Sequence, residues 1–139
     1  FVLSFDAVTN AFTEQPWCEF GSASNNAIRL YFIRNNSICV GYYANDKVFS
    51  FTPSINTIYN ITITEDGTGG VELFVDGTLR DTGNLSTPNT SGNTFRIGTF
   101  NSTNGSFNGK IYLARLYNRD LTASEVLQNY NVQRSRFGV

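Results

Sequence analysis

Histidine is absent from this 139-residue chain, and that absence removes more chemistry than any other feature of its composition. Without an imidazole no Ser-His-Asp or Cys-His nucleophile can be assembled, and a zinc or haem site loses its commonest ligand. Cysteine is scarce: Cys18 and Cys39 are the only two, and they form no C-x-x-C motif. A bridge closing the loop between them would be worth about 3 kcal/mol in the chain-entropy picture. Two cysteines fix no framework, and each also suits a small buried apolar site in a strand, so free thiols are the expectation. Charged residues make up 15% of the chain and the net charge is −1. That balance offers nothing to a phosphate backbone or an anionic bilayer, so no nucleic-acid partner is expected. No apolar run approaches the ~20 residues of a membrane helix. No segment reads as a signal peptide, and membrane insertion is not expected.

What the chain has in quantity is aromatic side chains and turn formers: 12 Phe, 7 Tyr, one Trp and 12 Gly, with many Asn, Ser and Thr. Short aromatic and β-branched runs punctuated by Gly and Asn mark an all-β sandwich or barrel. At this length residues 1–139 are expected to make one domain with a substantial core. Phe1 already stands inside a strand-like run, so we expect the sequence to be a piece of a longer chain.

Period-two alternation picks out the strands. Val2 to Val8 sets Leu3, Phe5 and Ala7 against Ser4 and Asp6, and Trp17 to Phe20 sets Trp17 and Glu19 against Cys18 and Phe20. Ala27 to Ile33 and Ile38 to Tyr43 flank an Asn35-Asn36-Ser37 turn, and a second turn at Asn45-Asp46 leads to Val48 to Phe51. Ile58 to Thr64 alternates most cleanly, with Tyr59, Ile61 and Ile63 inward. Val71 to Val75 meets Asp76-Gly77, a type I′ hairpin signal, and Thr78 to Arg80 begins the return. After a long polar connection comes Phe95 to Phe100. The total is roughly ten to twelve short strands, which two antiparallel sheets packed face to face accommodate.

The last stretch, Ser106 to Tyr130, reads as a strand and then a helix. Phe107, Ile111 and Leu113 share one strand face, and Leu116 and Tyr117 prolong the apolar run through a bulge. Thr122-Ala123-Ser124-Glu125 is a capping box, and Leu121 with Val126 forms a hydrophobic staple. Val126, Leu127 and Tyr130 then give an apolar side to a helix of about two turns. The pattern F-x-G-x-I at 107–111, followed by LYNRDLT, SEV and a Tyr, resembles the closing signature of laminin-G-like and pentraxin-like domains. Those domains belong to the concanavalin A-like lectin/glucanase superfamily. Phe1 to Phe5 resembles the family's early strand, and Ile61 to Gly77 its central hairpin. The tail, Leu121 to Gly138, further resembles the ends of such domains in phage structural proteins. The resemblance implies a concanavalin A-like jelly-roll sandwich of two antiparallel sheets with one short C-terminal helix. Where relatives commonly carry Trp-His-His before the central strand, this chain has Thr57-Ile58-Tyr59, and Phe5-Asp6 stands where they carry Phe-Trp. No binding residue of a particular relative is therefore inherited outright.

The superfamily includes glycoside hydrolases, and retaining hydrolysis needs two carboxylates about 5 Å apart. No Glu-x-Asp-x-x-Glu arrangement occurs, and the adjacent Glu65 and Asp66 would point apart on a strand, so no enzyme is expected. Some relatives hold Ca²⁺ on loop Asp and Asn oxygens, the hard ligands that ion requires. Asp66, Asp76, Asn101 and Asn104 are the loop donors here, with Asp66, Asp76 and Asn101 the metal candidates; simple turn formation before Gly67 and Gly77 is the favoured role of the two aspartates. No cofactor is required, and calcium is an option. A sugar site would combine aromatic faces with amides, and Trp17, Tyr42, Tyr43, Asn101 and Asn104 are the candidates, with Tyr31 beside them. Six N-x-S/T sequons occur, at Asn35, Asn60, Asn84, Asn89, Asn101 and Asn104, a number that so Asn- and Thr-rich a chain reaches by chance.

The expected function is a non-catalytic binding or adhesion module on a virion or extracellular surface, such as a phage tail, fibre or capsid appendage. Its partner would be a glycan or a surface protein, or other copies or subunits of a virion assembly. The alternative is a purely structural, assembly or capsid-decoration domain with no small ligand, and a glycoside hydrolase is the remote third. A domain of the assembly kind should offer an unpaired strand edge or exposed apolar surface to a neighbouring chain.

Overall fold

The computed structural model describes residues 1–6, 14–21, 28–42, 45–86, 94–99 and 106–139, with the side chains of residues 28–32 and 42 outside that description. The described chain holds ten strands and one helix: β1 (Val2–Phe5), β2 (Gln15–Gly21), β3 (Ile28–Arg34), β4 (Ser37–Tyr42), β5 (Asn45–Val48), β6 (Ile58–Glu65), β7 (Gly70–Val75), β8 (Thr78–Asn84), β9 (Phe95–Ile97), β10 (Gly109–Leu113) and α1 (Ala123–Phe137). They form two five-stranded antiparallel sheets, ordered β10-β1-β6-β7-β8 and β5-β4-β3-β2-β9. This is the jelly-roll sandwich that the alternation and the resemblance imply.

The core lies between the inner faces. Leu3, Phe5, Ile61, Leu73 and Val75 of the first sheet meet Trp17, Cys18, Ile33, Ile38 and Val40 of the second. Phe5 is the centre of an aromatic group, with its ring edge-on to Trp17 at 6.0 Å and to Phe107 at 5.5 Å. On one side the sheets are latched through their edges: Lys47 of β5 lies 3.1 Å from Asp81 of β8, whose carboxylate also accepts the Ser50 amide at 2.7 Å. That amide bond, with the lysine beside it, holds the Asp81 carboxyl below the usual carboxylate range.

Both tight hairpins use the turn chemistry their residues dictate. Asn35 and Asn36 have φ of 51° and 62°, and Asp76 and Gly77 have φ of 52° and 74°. Two successive left-handed residues are what a type I′ turn demands, and Asn, Asp and Gly adopt them at least cost. Gly77 also has no room for a side chain, since a Cβ there would meet Leu127 and Tyr130 of α1.

The structure corrects several boundaries. Asn45 and Asp46 belong to β5 rather than to a turn, because Arg34 holds Asp46 at 2.7 Å and Gly41 leaves room across the ladder for its carboxylate. Trp17 and Cys18 both face the core, because a bulge between Pro16 and Cys18 shifts the phase of β2. Glu19, turned the other way, is fully buried against Arg96. The cysteines are free thiols. Cys18 is on β2 and Cys39 on β4, with β3 between, so two strand spacings of about 4.8 Å separate them, more than the ~7 Å a bridge tolerates. Burial raises both thiol pKa values, that of Cys39 to about 12.

At the end of the chain, Leu116 and Tyr117 do not extend β10. The strand stops at Leu113, which pairs with Val2, the first residue of β1, and residues 114–120 continue without strand pairing. The helix is 15 residues long, about four turns instead of two. It passes Tyr130 because Gln133, a polar residue, supplies its next buried contact, and it ends at Gly138 in the left-handed conformation, whose amide returns to the Arg134 carbonyl at 2.9 Å. The capping box is formed: the Glu125 amide donates to the Thr122 hydroxyl, and the Glu125 carboxylate accepts the Thr122 amide at 2.9 Å. α1 lies on the outer face of the first sheet, where Val126 and Leu121 pack on Phe74.

Candidate functional site

A groove of about 570 Å³ runs along β6. Its origin lies in the strand pairings. β6 is bonded to β7 on one side, and on the other it pairs with β1 through Ser4, Leu3 and Val2, then with Phe1 through two bonds of 2.8 Å to Ile61. Beyond Ile61 the near wall of the groove is residues 62–67, and the far wall is the strap of residues 113–121, which leaves β10 in the direction of β6. Asn60 and Asp66 turn their backbone groups toward β7, so ladder alternation directs the Ile63 amide and carbonyl into the groove. Phe20 and Trp17 line its apolar inner side, Trp17 without exposed surface.

One end is built of amides around a guanidinium. Asn60 of β6 and Gln133 of α1 are 5% and 6% exposed, and the Asn60 side-chain amide donates to Gln133 at 3.2 Å. The Gln133 carboxamide sits between Asn60 and Arg115 of the strap, so its oxygen can face either. Arg115 also donates to Asn129 Oδ1 at 3.3 Å. Farther along the strap, Tyr117 lines the groove with its side chain 41% exposed. Arg119 follows and is committed to the helix cap, donating to both Glu125 oxygens at 2.7 and 2.9 Å. That pairing, with the Thr122 amide, lowers the Glu125 pKa to about 2.

The opposite end carries Glu65 and Asp66. Asp66 Oδ1 accepts the Thr68 amide at 2.7 Å, the Thr68 hydroxyl at 2.9 Å and the Gly70 amide at 2.9 Å. The Thr68 bonds, first among these, hold its carboxyl below the usual range. Asp76 accepts the Asn60 amide at 2.8 Å, and its pKa is raised because partial burial outweighs that bond. The two aspartates flank the six-residue strand β7, Asp66 bonded to Gly70 at its start and Asp76 following Val75 at its end, so about 20 Å of strand separates them. One calcium ion cannot touch both Asp66 and Asp76, and Asn101, the third metal candidate, lies outside the described residues. Each aspartate instead closes its own turn.

Of the sugar candidates, Trp17 is fully buried and packs edge-on to Phe5, so its ring offers no face to solvent. The side chain of Tyr42, all of Tyr43, and Asn101 and Asn104 lie outside the described residues, as does the side chain of Tyr31. The structure brings together a different set, Asn60, Arg115, Tyr117, Asn129 and Gln133. The available signal for it was the apolar pair Leu116-Tyr117, which continues past the end of a strand whose core face is already filled.

Comparison with known proteins agrees with this architecture. A sequence profile of the Concanavalin A-like lectin/glucanases superfamily, of laminin G type, matches residues 4–127. No curated protein matches the sequence. Among solved structures, a botulinum neurotoxin type G receptor binding domain is 22% identical with a TM-score of 0.60, and covers 95% of this chain and 36% of its own. A second structure of the botulinum neurotoxin serotype G binding domain is 21% identical with a TM-score of 0.63, covering 96% of this chain and 35% of its own. The chain thus spans about a third of the structures it resembles. The match over most of its length, together with the two-sheet sandwich, makes this chain a member of the concanavalin A-like lectin/glucanase superfamily.

Proposed function

We propose that the domain is a non-catalytic recognition module of an extracellular or virion surface, such as a phage tail, fibre or capsid appendage, and that the β6 groove takes hold of a glycan. The observation that carries this reading is the groove's lining. An exposed Tyr117 ring, side-chain amides, a guanidinium and the Ile63 backbone groups converge on one cleft. Its volume falls within the ~300–1,000 Å³ range of small-ligand sites. Tyrosine faces pack against sugar C–H groups while amides and backbone groups exchange hydrogen bonds with hydroxyls. Asp66 is committed to its own turn, accepting from Thr68 and Gly70, and is held below the ordinary carboxylate range, the opposite of what a glycosidase acid needs.

A second reading, assembly with neighbouring copies or other virion subunits, draws on apolar side chains turned outward. Leu116 and Val132 are 65% and 71% exposed on the strap and helix. A glycan array run on the folded domain, with calcium and again with a chelator, separates the readings when paired with sedimentation analysis. Glycan capture by a monomer, abolished when Tyr117→Ala is introduced, supports the groove. Capture lost only on chelation moves the site to a calcium-organised loop. Self-association without glycan capture favours assembly.

A further inference from the structure

We propose that the glycan bound in the groove carries a carboxylate, and that Arg115 is the residue that reads it; this rests on the recognition reading above. The described cations differ in what holds them. Arg119 is paired with Glu125, Arg34 with Asp46 and Glu14, Lys47 with Asp81, and Arg96 with Glu19. Arg80, Lys110, Arg134 and Arg136 lie outside the groove lining, and Arg115 is the guanidinium within it that no carboxylate holds among the described residues. Its hydrogen-bond partners among the described residues are the neutral amides of Asn129 and Gln133, so its charge is oriented and left uncompensated.

The amides also preorganise it. Gln133 and Asn60 are more than nine-tenths buried beside one another, and the Asn60 backbone amide is tied to Asp76; with the Gln133 oxygen turned to Arg115 it no longer accepts the Asn60 side-chain amide. A guanidinium has five N–H donors in a rigid fork. Two amide oxygens use part of that fork, and the rest matches the geometry of a carboxylate, where charge-assisted bidentate bonding is strongest. The groove then orients its ligand. Glu65 and Asp66 stand five and six residues along β6 and its turn from Asn60, and Asp120 stands five residues along the strap from Arg115. At about 3.3 Å per residue along β6, Glu65 lies about 17 Å from Asn60. An acidic sugar is accepted with its carboxylate at Arg115 and repelled in the reverse orientation. Tyr117, two residues farther along the strap, supplies the ring against which a sugar face can rest.

The test is a calorimetric or NMR titration of the whole domain with two oligosaccharides of identical linkage, one ending in glucuronate and the other in glucose. The glucuronate ligand should bind at least about tenfold tighter at low salt, and added salt should narrow the gap. Arg115→Gln should erase the preference, bringing affinity for the glucuronate ligand down to that of the glucose ligand in the same variant. Arg115→Lys should restore part of it, since the point charge returns without the fork. Thermal unfolding of both variants shows whether a loss reflects the site or the fold. Equal affinity for the two ligands, or a preference that survives Arg115→Gln, overturns the role of Arg115 but leaves the groove as a glycan site. Binding of neither ligand nor any arrayed glycan by the folded domain overturns both.

Discussion

The two faces of the sheet β10-β1-β6-β7-β8 are built on different terms. Its inner face is covered by a second sheet and is apolar along β1, β6 and β7, with Leu3, Phe5, Ile61, Leu73 and Val75 at or near zero exposure. Its outer face is covered by one helix, which makes a small apolar contact through Phe74, Leu121 and Val126 and a polar one through Asn60 and Gln133. Where the helix cover and the pairing of β6 with β1 end, the sheet and the strap leave a groove that reaches in to Trp17 and Phe20 of the second sheet. The inner face therefore carries the stability, and the outer face is free to carry residues chosen for something else.

Matched truncations test that division most severely. Phe5 and Phe74 are both essentially unexposed, one on each face. Phe5→Ala empties the centre of a ring cluster between two rigid sheets, and should cost about 4–5 kcal/mol in urea denaturation. Phe74→Ala removes the seat of a single helix that can settle inward, and should cost about 3 kcal/mol. It should also speed amide exchange in α1 selectively. Equal costs with no selective exchange would break the comparison.

A smaller effect comes from acid. The Glu125 carboxyl has a folded pKa of about 2 against an ordinary 4.5, so its contribution is fully present above 4.5 and is lost as pH falls toward 2. Helix ellipticity should fall across that window while the two sheets persist. Glu125→Gln should flatten the profile, whereas Thr122→Ala, which removes the reciprocal partner, should cost about 1 kcal/mol at neutral pH. An unchanged profile in Glu125→Gln would assign the transition to other carboxyls, among them Asp66 and Asp81, which are also lowered.

What the sequence made legible follows from locality. The Asp76-Gly77 turn and the Thr122–Glu125 box are written in residues that touch each other, so their chemistry could be read directly. The alternation of Ile58 to Thr64 survived because its inner face meets a continuous apolar layer. The bulge at Trp17 was hidden: it is set by how β2 pairs with β3, and a one-residue phase change leaves the composition of the strand unaltered. The length of α1 was hidden because Gln133 extends the buried contact with an amide rather than an apolar side chain. The groove was hidden most completely. It exists because pairing along one side of β6 reaches Ile61 while the strap runs on past Leu113, and residues 60, 115, 117, 129 and 133 converge only through that topology.

The gentlest prediction for stability is the sharpest for function. Tyr117 is 41% exposed and sits on an unpaired strap. Removing its ring takes little packed surface away from the fold, so Tyr117→Ala should stay within about 0.5 kcal/mol of the parent in denaturant. If the outer face serves recognition, the same change should lower glycan affinity by about tenfold or more, the scale of a lost aromatic platform. Tyr117→Phe should retain most of that affinity, because the ring face is kept and only the hydroxyl goes. A Tyr117→Ala protein that is destabilised by several kcal/mol would instead make the strap part of the structural core, and the contrast between the two faces would dissolve.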